Sequence, residues 1–231
     1  MIEDKMSFME IADELNRDYT EEIDRKMYSI ERNSLYRRTI LKSQKQGLIK
    51  FKPITVKSKQ GNTIILTPYV TSRSLYKKTH ELQFSIIATF FYRRTHFVAW
   101  LTSDARDLKP SVYFYPSHLF ERYGERFLKE GFVMNTENFS SFFLKNRAVS
   151  FLANCPHPKY KNHLFATIND GVLFGETIGR YVQFFKTYIT FDMLKGMQVD
   201  SSNFLRPQIQ EILDAAEERL KIFSKTNRYA A

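Results

Sequence analysis

Apolar positions along the chain set the expected order of elements. Phe8, Ile11 and Leu15 recur at helical spacing, and Ile23, Met27 and Ile30 repeat the pattern. Thr20 stands where an N-cap for the second set would be. Residues 1–35 are therefore expected to form an N-terminal helical extension, open to a docking role. Within residues 36–80 the pattern offers a turn at Gly61-Asn62 and a strand from Thr63 to Thr71. A two-residue period then begins: Leu82, Phe84, Ile86, Ala88, Phe90 and Tyr92 share one strand face. A second strand runs from Thr95 to Ser103. The Arg93-Arg94 link makes the pair a hairpin with a basic tip, although it lacks the usual Gly or Asn. A third strand, Ser111 to Tyr115, leads through Pro116 into helices over Ser117–Lys129 and Thr136–Lys145.

Strands return at His163–Ile168, Val172–Glu176 and Arg180–Thr190, the first two joined by an Asn169-Asp170-Gly171 turn. Thr190 is placed to cap a short helix ending at Leu194. Last comes a helix over Ser202–Ser224 with Leu205, Ile209, Ile212, Leu213, Ala216, Leu220 and Phe223 on one stripe. The fold class expected is α+β: a strongly twisted antiparallel sheet, two helices packed on one side, and helical extensions at both termini. The 231 residues are read as one domain, with a basic segment at 36–80, core sheet and helices at 81–195 and a C-terminal helix at 201–225.

Charge changes the picture. The chain has 35 Lys and Arg against 25 Asp and Glu, a net +10. From Asn33 to His80 there is no carboxylate, yet eleven cations: Arg37, Arg38, Lys42, Lys45, Lys50, Lys52, Lys57, Lys59, Arg73, Lys77 and Lys78. The other 183 residues carry 24 basic and 25 acidic groups, so the excess comes from one segment. A concentrated positive field attracts polyanions, nucleic acid being the commonest. Aromatic content of 15% adds groups that can fill a core or stack on bases. The single Cys155 cannot close an internal disulfide, and the longest apolar stretch, Phe84 to Tyr92, is too short to span a bilayer. A cytoplasmic protein without membrane partners is expected.

The candidate chemistry lies on the helix after Pro116. At 100° per residue, His118, Arg122, Glu125, Arg126 and Lys129 fall in one arc, with Phe120, Tyr123 and Phe127 opposite. With Ser117 as the cap, His118 sits in the first turn, where the helix dipole favours neutral imidazole, a usable base. Arg122 and Arg126 would hold a phosphate and Glu125 would orient an arginine or carry a second proton. Those parts suit a metal-independent cleavage of RNA by its own 2′-hydroxyl. An exposed helix face with weak ion pairs is the commoner meaning of such a mixture.

The order strand, His-x-x-x-Arg-x-x-Glu-Arg helix (His118 to Arg126), second helix and three-stranded meander resembles the small ribonuclease toxins of the RelE and BrnT type. Thr187-Tyr188-Ile189 matches the Thr-hydrophobe-Ile ending of their sheets. The resemblance covers residues 111–190, behind 110 residues that have no counterpart in it. It implies an RNA-directed endoribonuclease, or a phosphate-binding relative without activity, and on it alone rests a preference for RNA over DNA.

Lys186 and Tyr188 share a strand face with Arg180 and Phe184 by alternation and join Arg93 and Arg94 as further nucleic-acid contacts. Cys155, His157 and His163 do not have a standard zinc spacing, so no metal or other cofactor is assigned. Three functional readings stand: a nucleic-acid-binding ribonuclease; a non-enzymatic DNA- or RNA-binding protein of a mobile element; and an interaction module whose terminal helices bind a protein partner or a second copy.

Overall fold

In the computed structural model, which describes residues 1–102, 110–153 and 163–229, the chain opens with a capped helix. The Ser7 hydroxyl accepts from the Glu10 N–H, and the Glu10 carboxylate accepts from the Ser7 N–H. From there α1 (Phe8–Asp18) runs through a π-helical turn (Tyr19–Ile23) into α2 (Asp24–Glu31). Thr20 therefore caps nothing: its hydroxyl donates to the Asn16 carbonyl, 3.0 Å away, inside a continuing helix. Ile11, Leu15 and Ile23 are wholly buried, so these helices are part of the core and not a free extension.

The basic segment holds more structure than its sequence pattern suggests. Asn33 caps α3 (Ser34–Lys42). Two short strands follow, β1 (Ile49–Lys50) and β2 (Ile54–Lys57), both antiparallel to β3 (Thr63–Val70). Pro53, with no N–H to donate, lies in the break between them. Ser72 caps α4 (Arg73–Thr79). Then come β4 (Gln83–Tyr92), β5 (Thr95–Thr102) and β6 (Ser111–Pro116), close to their expected bounds.

A crossover of two helices follows: α5 (Ser117–Tyr123), continued by a π-helical turn (Gly124–Leu128), and α6 (Thr136–Lys145). Pro116 occupies the N-cap of α5 without a side-chain cap bond; Ser117 is its first helical residue, not its cap. The chain returns as β7 (Ser150–Leu152), β8 (His163–Ile168), β9 (Gly171–Gly179) and β10 (Val182–Ile189). A 3₁₀ turn (Phe191–Met193) and α7 (Met197–Tyr229) complete the described chain.

The described strands form one sheet ordered β1-β3-β4-β5-β6-β10-β9-β8-β7, with β2 beside β3. All strand pairings among the described residues are antiparallel except β6 with β10, where two meanders join in parallel. The fold is α+β. Both sheet faces are covered, which is why β4 is apolar on each side. Ile11, Leu15, Ile23 and Ile40 pack on Ile64, Leu66, Ile86, Ala88 and Phe114. On the opposite face Leu119 and Phe120 of α5, with Phe139, Phe142 and Phe143 of α6, pack on Ile87, Val98, Trp100, Tyr115 and Phe185. Leu205 anchors α7 against Phe165 and Val172, while Ile212 and Ala216 on the same stripe are exposed. No helix of the described residues is long and apolar enough to cross a membrane.

Candidate nucleic-acid interface and the His118 helix

The parallel pairing of β6 with β10 lasts for three residues, Val112–Phe114 against Val182–Phe184. Beyond it β6 ends and α5 begins, leaving the next stretch of β10 without a strand on that side. Three side chains of the helix fill the place. His118 Nε2 is 2.7 Å from the Lys186 carbonyl, Arg122 Nη1 donates to Thr187 Oγ1 at 3.0 Å, and Arg126 Nη1 donates to the Tyr188 carbonyl at 2.6 Å. The spacing of four residues on the helix thus meets three consecutive strand residues. A carbonyl can only accept, so Nε2 of His118 carries a proton and Nδ1 is the ring nitrogen not engaged by the strand.

His118 and Arg122 are exposed and Arg126 is half-buried. Glu125 is exposed and makes no hydrogen bond or ion pair with the described residues. The π-helical turn begins at Gly124, where a Cβ would come within 2.6 Å of the Phe132 backbone nitrogen. The sequence placed the three side chains on one arc correctly. It could not show that a strand edge already takes their donors.

Lys186 and Tyr188 do not form the expected platform. A bulge between Phe185 and Thr187 shifts the register of β10 on β9 and breaks the alternation. Phe184 packs on the α1 side of the sheet, whereas Phe185 and Tyr188 pack on the α5 side. Tyr188 is fully buried and its hydroxyl donates to the Asp170 carbonyl at 2.6 Å. Burial, reinforced by the Asp170 charge, raises its pKa above the ordinary tyrosine value. Its assignment as a nucleic-acid contact is therefore withdrawn. The Lys186 ammonium pairs with Glu176 at 2.8 Å.

Asp170, a residue missed in the sequence beyond its turn, is the centre of a buried network. Its carboxylate accepts from the Tyr123 hydroxyl at 2.7 Å and from Asn146 Nδ2 at 3.3 Å, and pairs with Lys145 at 3.0 Å. Its signal was the absence of a partner acid or base within the turn, which tertiary structure supplies.

The basic segment is placed differently. Arg37, Arg38, Lys42, Lys45, Lys52 and Lys57 are exposed and make no ion pair with the described residues. Lys50 is the exception: half-buried, it pairs with Glu137 at 3.3 Å and donates to Ser141 Oγ at 3.0 Å, which ties the β1 edge to α6 and removes it from the free cations. Lys59 lies beside Glu22, whose carboxylate accepts its backbone N–H.

Two grooves flank α3. One, about 340 Å³, is lined by Arg32, Arg37, Tyr76, His80 and the start of the helix, with Glu31 at its wall. The other, about 310 Å³, is lined by Leu35, Tyr36, Thr39, Phe51, Pro53 and Ile54 beside Lys52. Tyr36 and Phe51 meet edge to face across it, their centroids 4.8 Å apart. A helix carrying arginines between an arginine-lined groove and an aromatic one suits a chain of phosphates and bases.

At the β4–β5 tip, the Arg93 N–H donates to Asp4 and its guanidinium lies over Tyr92. Arg94 is exposed and unpaired among the described residues. Cys155 and His157 lie outside the described residues; among those described, no group of three or more His, Cys, Asp or Glu is arranged to hold a metal. No family model, curated protein or solved structure matches the chain.

Proposed function

We propose that the protein binds nucleic acid, with α3 and the β1–β2 edge as its contact region. The observation that carries this is the set of six exposed cations on that region, unpaired among the described residues, in a stretch of chain without a carboxylate. Phosphate contacts of this kind give affinity without sequence choice. The His118 helix is a structural clamp in this proposal, because its donors hold the bulged strand β10.

A second role for the clamp has one observation in its favour. His118 and Arg122 are both exposed while they bridge to β10, and Nδ1 is the ring nitrogen that the strand leaves open to exchange a proton. A metal-independent ribonuclease built on His118, Arg122, Glu125 and Arg126, as the toxin resemblance implies, would use that atom as its base.

The test is incubation of the protein with labelled single-stranded RNA and DNA in EDTA, beside His118→Ala. Binding of both without cleavage is the expected result. RNA cleavage that survives EDTA and disappears in the variant would establish the nuclease instead. Absence of binding at low salt would sink the proposal.

A further inference from the structure

The hairpin β4–β5 carries three independent oddities. The first is Phe91, 74% exposed near the tip of an aromatic-rich hairpin. A single exposed phenyl is ordinary, but this one is backed: it lies against the ring of its cross-strand partner His96 at 5.1 Å, and His96 lies against Phe139 of α6 at 5.9 Å. Burial lowers the His96 pKa, so the backing ring is neutral at physiological pH. The second is the tip, where Arg93 and Arg94 both hold positive φ, 47° and 64°. A type I′ turn needs that conformation and normally gives it to Asn and Gly; strain of this kind is retained where side chains have a use.

The third is register. Lys57 of β2 pairs with Thr63 of β3, and Thr63 pairs with Thr89 of β4. Cross-strand partners share a face, and Phe91, two residues past Thr89, shares it too. Lys57 and Phe91, both exposed, thus lie on one sheet face at the end that carries the Arg94 tip. At about 4.8 Å per strand and 3.4 Å per residue, the backbones of Lys57 and Phe91 stand about 12 Å apart. An exposed flat ring between two unpaired cations matches the base-and-phosphate alternation of a single strand.

We infer that Phe91 is a stacking platform for an unpaired nucleobase, with Lys57 and Arg94 taking the flanking phosphates. This rests on the nucleic-acid proposal above and adds that the ligand is single-stranded. Base–aromatic stacking is worth about 1–3 kcal/mol per base, so Phe91→Ala should weaken single-strand binding roughly 5- to 150-fold. Its salt dependence should not change, because no charge is lost. Phe91→Trp should keep the affinity.

The experiment uses a short single-stranded RNA and its DNA equivalent, each with one 2-aminopurine, titrated with the full-length protein. Wild type and Phe91→Trp are expected to quench the fluorophore, and Phe91→Ala to lose both quenching and affinity with an unchanged circular-dichroism spectrum. Salt-sensitive binding that is equal in wild type and Phe91→Ala would overturn the platform and leave the nucleic-acid proposal standing. No binding by the wild type would overturn both.

Discussion

Arg94 shows what a single residue trades. At φ 64° it holds a left-handed conformation that costs an L-residue with a Cβ roughly 1–2 kcal/mol, and glycine almost nothing. Its side chain makes no hydrogen bond, ion pair or ring contact with the described residues to offset that cost. Arg94→Gly should therefore stabilise the protein by about 1 kcal/mol, seen as a rise of a few degrees in the unfolding midpoint, while weakening nucleic-acid binding. Higher stability with unaltered binding would mean that the arginine serves no ligand. Arg93 is a poorer subject, since its N–H is held by Asp4. The hairpin and its basic tip were legible in the sequence, because two strand-period runs meet across two residues. The exposure of Phe91 was not, since alternation assigns a face but does not say where the cover of that face ends.

Among elements, α5 and β10 are held by bonds of graded depth, and stability should follow the grading. Asp170 is buried and takes the Tyr123 and Asn146 donors; Asp170→Ala leaves the buried Tyr123 hydroxyl without an acceptor, while the Asn146 amide keeps the Phe142 carbonyl, and should cost about 3 kcal/mol. Arg126→Ala removes one half-buried charged bond and should cost about 1–2 kcal/mol. His118→Ala, at the exposed end, should cost less than about 1 kcal/mol. Denaturant midpoints measure the order; a His118 variant less stable than the Asp170 variant would contradict it. The small expected cost also makes His118→Ala a fair test of cleavage, because the variant should fold. Here the sequence was informative about the helix and silent about the strand. Helical periodicity put His118, Arg122 and Arg126 on one arc, but the bulge at Phe185–Thr187 flips the side-chain order of β10 and carries Tyr188 into the core. Likewise α3 and α4 went unseen, because short helices with little apolar periodicity are defined by the caps Asn33 and Ser72 and by packing on their neighbours.

At the scale of the whole molecule, the formal charge of +10 is less telling than which cations are free. Lys50, Lys145 and Lys186 are neutralised by Glu137, Asp170 and Glu176. Arg37, Arg38, Lys42, Lys45, Lys52 and Lys57 have no such partner among the described residues. Each phosphate neutralised on a single strand releases counterions and adds about −0.7 to the slope of log K against log salt. If these six all engage, the slope is about −4, and affinity falls on the order of a few hundredfold between 50 and 200 mM salt. Replacing Lys42 and Lys52 by Gln should bring the slope to about −3. Lys50→Gln should leave it unchanged, because that charge is already spent on Glu137, and should instead loosen the attachment of β1 to α6. The contrast isolates free charge from charge as such. A shallow slope in the wild type, or equal loss from Lys50→Gln and Lys42→Gln, would reduce the carboxylate-free segment to a solvated surface and return the search for a partner to the exposed part of the α7 stripe.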